Sequence, residues 1–234
     1  MNDAWQNEHC FFRKLLTNKI QFDIICIVNV KALVGGVSMS AERIRELLSA
    51  SKDGTITAKL VSDNGIHRGY LTAMVQSGEL IKVGTGLYMR ADAWEDEMYL
   101  LQKRFGRGIF SHETALYLHG FTDRTPAKFT MTFPHGYTTE ILMKEPIHTK
   151  RVVKDKYDVG VTQVETPCRN VVRVYDIERT LCDIVKGQGC DIQIVNEAMK
   201  RYARMPGKDI HKLMEYAEIM RVRPKIQRYM DILL

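Results

Sequence analysis

The sequence predicts an α+β protein in two parts: a small N-terminal unit of short helices closed by a β-hairpin, then a larger mixed α/β domain with a helical C-terminal end. Three observations carry that expectation. Apolar residues recur at helical spacing after Ser40, at Ile44, Leu47 and Leu48. Two β-prone runs, Leu80 to Val83 and Leu87 to Arg90, flank Gly84-Thr85-Gly86, which is a hairpin signal. After a break near Ala91 to Ala93, strand-like and helix-like segments alternate, and from Asp191 onward only helical patterns remain.

The elements of the first part follow in order. Ser40 is expected to cap a helix with Glu42 in its first turn, and Lys52-Asp53-Gly54 stops it. Thr55-Ile56-Thr57 reads as a brief strand, Ala58 to Asp63 as a short helix, Asn64-Gly65 as a tight turn and His67 to Ser77 as a second helix. Gly78 stands where a left-handed residue closes that helix. Helix, short strand, helix, turn, helix, hairpin is the order of a winged helix-turn-helix, expected over residues 39–91. Its two inner helices need inward apolar residues. Leu60 and Val61 are expected to supply them from the first, and Leu71, Met74 and Val75 from the second. The opposite face is then outward: His67, Arg68, Thr72 and Gln76, with Tyr70 on the flank. In this geometry Arg68 can reach guanine, and Gln76 adenine or a phosphate. Lys82, Thr85 and Gly86 of the hairpin can approach phosphates.

Residues 92–234 read as a second domain. Trp94 to Phe105 is expected as a helix, Ile109-Phe110 as a strand, and Ser111 as the cap of a helix that ends at His119-Gly120. Lys128 to Phe133 alternates as a strand and stops at Pro134. Thr138 to Arg169 reads as short strands and loops. Val171 to Tyr175 is a strong strand, and Asp176 caps a helix from Ile177 to Lys186. Two or three helices follow, broken at Pro206-Gly207 and Pro224.

Composition narrows the function classes. With 234 residues, 45% apolar and 26% charged, the chain can bury a sizeable core and has no low-complexity tract. Its net charge of +6 favours a polyanionic partner. The five cysteines, Cys10, Cys26, Cys168, Cys182 and Cys190, contain no Cys-x-x-Cys pair. A disulfide framework and a zinc site are therefore not expected, and reduced thiols in a cytoplasm are. The apolar run Phe22 to Val37 carries Asp23, Asn29 and Lys31 and is too short and too charged for a membrane span, so no membrane association is expected. Codons for Gly35-Gly36 can spell a ribosome-binding sequence at a suitable distance from Met39. Residues 1–38 are accordingly expected to be an extra segment upstream of a natural start at Met39.

Four blocks carry a family resemblance. They are Gly78-Glu79-Leu80 through Gly86-Leu87-Tyr88; Ser111-His112-Glu113-Thr114-Ala115-Leu116-Tyr117-Leu118-His119-Gly120; Thr130-Met131-Thr132-Phe133-Pro134-His135-Gly136; and Val172 through Asp183. In this order they resemble the AbiEi antitoxins of type IV toxin–antitoxin systems, from about Ser40 to the C-terminus. The resemblance implies a DNA-binding repressor of its own operon, acting on double-stranded operator DNA. It also implies an antitoxin opposing a nucleotidyltransferase-like toxin without forming a stable complex with it.

Enzymatic motifs are weak by comparison. His112 and His119 lie seven apart on one expected helix, but His-x(3)-His is the usual helical metal spacing, and first-turn and last-turn roles account for both. Asp176, Glu178 and Asp183 are explained as a cap, a first-turn charge and a surface residue. No phosphate loop, nucleophile elbow or zincin motif occurs, so no catalytic residue, metal or cofactor is expected. Lys200, Arg201, Arg204 and Lys208 form either a solvated helix face or a second nucleic-acid surface. Two other readings stay open: a stand-alone winged-helix regulator with a sensing or protein-binding C-terminal domain, and a nucleic-acid-processing enzyme.

Overall fold

The structure is a computed structural model that describes residues 39–51, 53–137, 142, 145–187 and 190–234. The extra segment expected at residues 1–38 lies outside the described residues. The chain divides into two compact units, Met1–Ala93 and Trp94–Leu234.

In the first unit, residues 39–50 are helical (α1). Met39 and Ser40 are already inside this helix, so Ser40 is not its N-cap. Strand β1 (Thr55–Thr57) leads directly into α2 (Ala58–Asp63), whose first turn is capped by Thr57 Oγ1 accepting from the Leu60 amide at 3.1 Å. The turn to α3 (Gly69–Gln76) passes through Gly65 at φ +72°, a conformation that penalises any Cβ. At the far end of α3, Gly78 takes φ +76° and the Glu79 amide reaches back 3.0 Å to the Met74 carbonyl, which closes the helix as expected. Strands β2 (Leu80–Gly84) and β3 (Leu87–Arg90) form the hairpin, and β1 pairs with β3 to give an antiparallel sheet of order β1-β3-β2.

Ile44, Leu48, Ile56, Val61, Ile66, Leu71, Met74 and Leu80 make the core of this unit. Each such side chain contributes roughly 1.5–3 kcal/mol of transfer free energy on burial. Leu60 is not among them; it is 42% exposed, contrary to expectation. Successive helical positions are 100° apart, and a helix of six residues resting on one side can turn only Val61 fully inward.

The second unit holds a five-stranded mixed sheet of order β6-β5-β4-β8-β7. Its strands are β4 (Ile109–Phe110), β5 (Thr130–Pro134), β6 (His148–Val152), β7 (Val161–Glu165) and β8 (Val171–Tyr175). The β4–β8 and β5–β6 pairs are parallel; β4–β5 and β7–β8 are antiparallel. Helices α4 (Glu97–Arg104) and α5 (His112–Leu118) pack against β8. The short helix α6 (Lys154–Tyr157), in a region read as strands and loops, joins β6 to β7. Helices α7 (Ile177–Lys186), α8 (Ile192–Arg204), α9 (Ile210–Met220) and α10 (Arg223–Leu233) bury a second apolar cluster around Leu181, Met199, Leu213 and Ile226.

Several local expectations shift here. Helix α4 begins at Glu97 rather than Trp94, because Asp96 accepts the Tyr99 amide and also bonds to Thr166 Oγ1 and Asn170 Nδ2; Trp94 is 88% exposed. Ser111 occupies the N-cap position of α5 but makes no capping hydrogen bond; its hydroxyl accepts from Thr132 Oγ1 at 2.8 Å. The break before the last helix falls at Arg221, in the left-handed region, and Pro224 lies in the first turn of α10, where its missing N–H costs nothing. Asp183 is a buried residue, not a surface one: its Oδ2 accepts from Nε of the fully buried Arg179 at 3.1 Å. Glu178 is buried too, and accepts from the Tyr202 hydroxyl and Lys212 Nζ.

Candidate nucleic-acid interface

The two faces of α3 divide its residues cleanly. Leu71 and Met74 are buried, Tyr70 and Val75 pack partly against the same core, and Gly69, Thr72, Ala73 and Gln76 are exposed. The exposed four stand at i, i+3, i+4 and i+7, which is one stripe along the helix. Every side chain of α3 is uncharged; the charge at this surface comes from its flanks.

Helix α3 starts two residues later than the periodicity suggests, so His67 and Arg68 lie in the lead-in rather than in the helix. His67 Nδ1 accepts the Gly69 amide at 3.1 Å, so one of its two ring nitrogens is occupied in holding the helix start. Arg68 is exposed, and its Nε donates to Ser62 Oγ at 2.7 Å, while Ser62 Oγ donates to the Ala58 carbonyl at 3.0 Å. A relay from α2 therefore aims the guanidinium and leaves both Nη groups for another acceptor. Sequence reasoning missed Ser62. A hydrogen bond across a turn between residues six apart has no periodic signal.

The hairpin sits beside these helices. The Gly86 carbonyl accepts the Ala58 amide at 2.7 Å, which ties the hairpin turn to the start of α2. Thr85 and Lys82 are exposed, and Gly86 is half-buried by that contact. Lys59, also exposed on α2, was not singled out by sequence and adds a cation to this unit's surface. The structure thus places His67, Arg68, Thr72, Gln76, Lys82 and Thr85 at the surface, with Tyr70 and Gly86 partly covered.

Farther along the chain, Lys200, Arg201 and Arg204 line one groove of the second unit with Phe121, Glu197, Met205 and Pro206. The Arg201 guanidinium lies 5.5 Å from the centre of the Phe121 ring. Lys208 is half-buried and does not line that groove. The His112 and His119 pair makes no shared site. His119 Nε2–H donates to the Tyr175 carbonyl at 2.7 Å, while His112 Nδ1 lies 3.1 Å from Ser111 Oγ. Burial, with Lys150 and Arg179 nearby, pushes the His112 imidazole down to about 4. Among the described residues, no group of three or more His, Cys, Asp or Glu side chains could hold a metal ion. No helix among them is long and apolar enough to cross a membrane.

A three-stranded sheet closing a helix-turn-helix, with an exposed polar stripe on the second helix and a hairpin tied to the first, defines a winged-helix nucleic-acid-binding unit. Residues 40–125 match the family model for the AbiEi antitoxin N-terminal domain, described as a transcriptional regulator. The matched region runs past the hairpin and through α5, and the family is a regulatory one, not a family of enzymes. No curated protein matches the chain. Among solved structures, the RV2827C protein from Mycobacterium tuberculosis is similar over 82% of this chain and 81% of that one, at 12% identity and a TM-score of 0.50. That likeness concerns the fold.

Proposed function

We propose that this protein represses its own operon by docking α3 in the major groove of double-stranded operator DNA, and that it opposes a nucleotidyltransferase-like toxin without a stable complex. Residues 39–91 would be the DNA-binding domain and residues 92–234 the antitoxin-type domain. The single observation that carries the DNA-binding reading is the clean division of α3: its apolar face builds the core while Gly69, Thr72, Ala73 and Gln76 stay uncovered beside Arg68. Arg68, Thr72 and Gln76 would contact base edges, with His67 and Tyr70 at the margin of the groove. Lys82, Thr85 and Gly86 would meet the phosphate backbone.

The toxin-opposing role is supported by the family of residues 40–125. Lys200, Arg201, Arg204 and Lys208 would give the second domain its own contact with nucleic acid, supported by the exposure of the first three along α8. Gel shifts on DNA upstream of the gene test the main claim. Arg68→Ala should weaken specific binding by about 1–3 kcal/mol, whereas Lys82→Ala should weaken binding to all sequences and flatten its salt dependence. Unchanged affinity for both variants would refute the proposed docking. Co-expression with the product of a neighbouring nucleotidyltransferase-like gene should restore growth without co-purification of the two proteins.

A further inference from the structure

We infer that the exposed stripe of α3 selects a block of A·T pairs, with one guanine at its leading edge read by Arg68. This rests on the DNA-binding reading above and assigns the sequence class of the operator half-site. The stripe offers no charge and little hydrogen-bonding capacity: Gly69 has no side chain, Ala73 ends in a methyl group, and Thr72 carries a methyl beside its hydroxyl. In the major groove the base feature matched by a methyl is the C5-methyl of thymine, which a G·C pair lacks, while both kinds of pair present the same number of hydrogen-bonding groups there. Gln76, at the far end of the stripe, carries the one group there that can pair bidentately with the N6 and N7 atoms of adenine.

The spacing fits a short block. Seven residues separate Gly69 from Gln76, a rise of about 10.5 Å, which spans about three base-pair steps. Guanine recognition falls outside the block for a structural reason. Arg68 precedes α3, and its Nε bond to Ser62 Oγ holds the guanidinium beside α2. The two Nη groups left over form the fork that pairs with guanine O6 and N7. Ser62 is thus a positioning residue for Arg68: it acts on one base pair and not on the block.

Selection of the full chain on a random duplex library tests this directly. The expected product is a half-site with two or three adjacent A·T pairs flanked by one G·C pair. Replacing the block's thymines by deoxyuridine, which removes only the methyl groups, should lower affinity by about 3- to 10-fold per contacted base. Gln76→Ala should remove the preference for adenine at one position, and Ser62→Ala should relax the guanine while leaving the block intact. Discrimination of about 5- to 150-fold is the scale expected for a good bidentate contact. A selected core rich in G·C would overturn the inference while leaving DNA binding standing. An A·T core insensitive both to deoxyuridine and to Gln76→Ala would overturn it as well, because the preference would then come from groove shape. Absence of any duplex binding at low salt would overturn this inference and the DNA-binding reading together.

Discussion

The two units of the molecule treat charge in opposite ways. Among the described residues of the first, the ion pairs Arg43 with Glu46, Arg45 with Glu42 and Glu79, and Arg90 with Asp92 are all solvent-accessible, and the core is apolar apart from Thr55. In the second, charge goes inside. Arg179 is fully buried, with Asp183 at its Nε, the Lys156 and Val159 carbonyls at its Nη1, and the Tyr175 ring 4.2 Å away. Glu178 and Asp176 share Lys212 from α9, so one lysine fastens α9 to the start of α7. The lesson concerns how each unit is specified. A small unit with three helices among its described residues can be held by apolar packing and four left-handed glycines, Gly54, Gly65, Gly78 and Gly86, which leaves its polar residues available for a partner. A mixed sheet with helices from distant parts of the chain needs directional contacts to choose one arrangement, and buried hydrogen-bonded charge supplies direction at a high cost if any member is removed.

The largest effect should therefore come from breaking the buried pair. Asp183→Ala leaves the Arg179 guanidinium without its carboxylate and should destabilise the second unit by about 3–5 kcal/mol in denaturant titrations. A loss under 1 kcal/mol would mean that the pair is not what orders α7. In the first unit the matching test is apolar: Leu71→Ala should cost about 2–5 kcal/mol, seen by hydrogen exchange as lost protection in α1 to α3 with the second unit's protection kept.

A smaller effect is expected from His112, which contrasts with the first unit's exposed charges because it titrates under cover. Its folded value, about 4, lies below the ordinary 6.5, so the unfolded chain binds the proton more readily. Stability is fully present above about pH 6.5 and declines as pH falls toward 4. His112 also adopts φ +52°, a conformation that asparagine tolerates, so His112→Asn should flatten this decline without a new backbone penalty. An unchanged pH slope in that variant would count against buried His112 as its source. Smallest of all, Leu60→Ala should change stability by no more than about 0.5 kcal/mol, since its side chain is 42% exposed. A cost like that of Leu71→Ala would restore Leu60 to the core.

Particular residues show what could be read in advance. The bounds of β1, α2, β3, β8 and α7 match the periodic and capping signals residue for residue, because short-range chemistry determines each: Thr57 and Asp176 cap with their own side chains, and Gly65 and Gly78 adopt left-handed backbone. The surface stripe of α3 was legible for the same reason, since burying Leu71 and Met74 obliges Thr72 and Gln76 to face out. The start of α4, by contrast, was misplaced by three residues. Asp96 earns its capping position partly through Thr166 and Asn170, some seventy residues away.

By itself, then, the chain determined which segments fold locally, which faces are apolar and, where the cap is a neighbouring side chain, where an element begins, because those properties depend on residues within a turn or two of each other. Tertiary structure alone decided that Asp183 and Glu178 go inside, that Leu60 stays out, and that Ser62 aims Arg68. Each of these depends on which remote group supplies or withholds a hydrogen bond or a covering surface. Local periodicity carries no record of that.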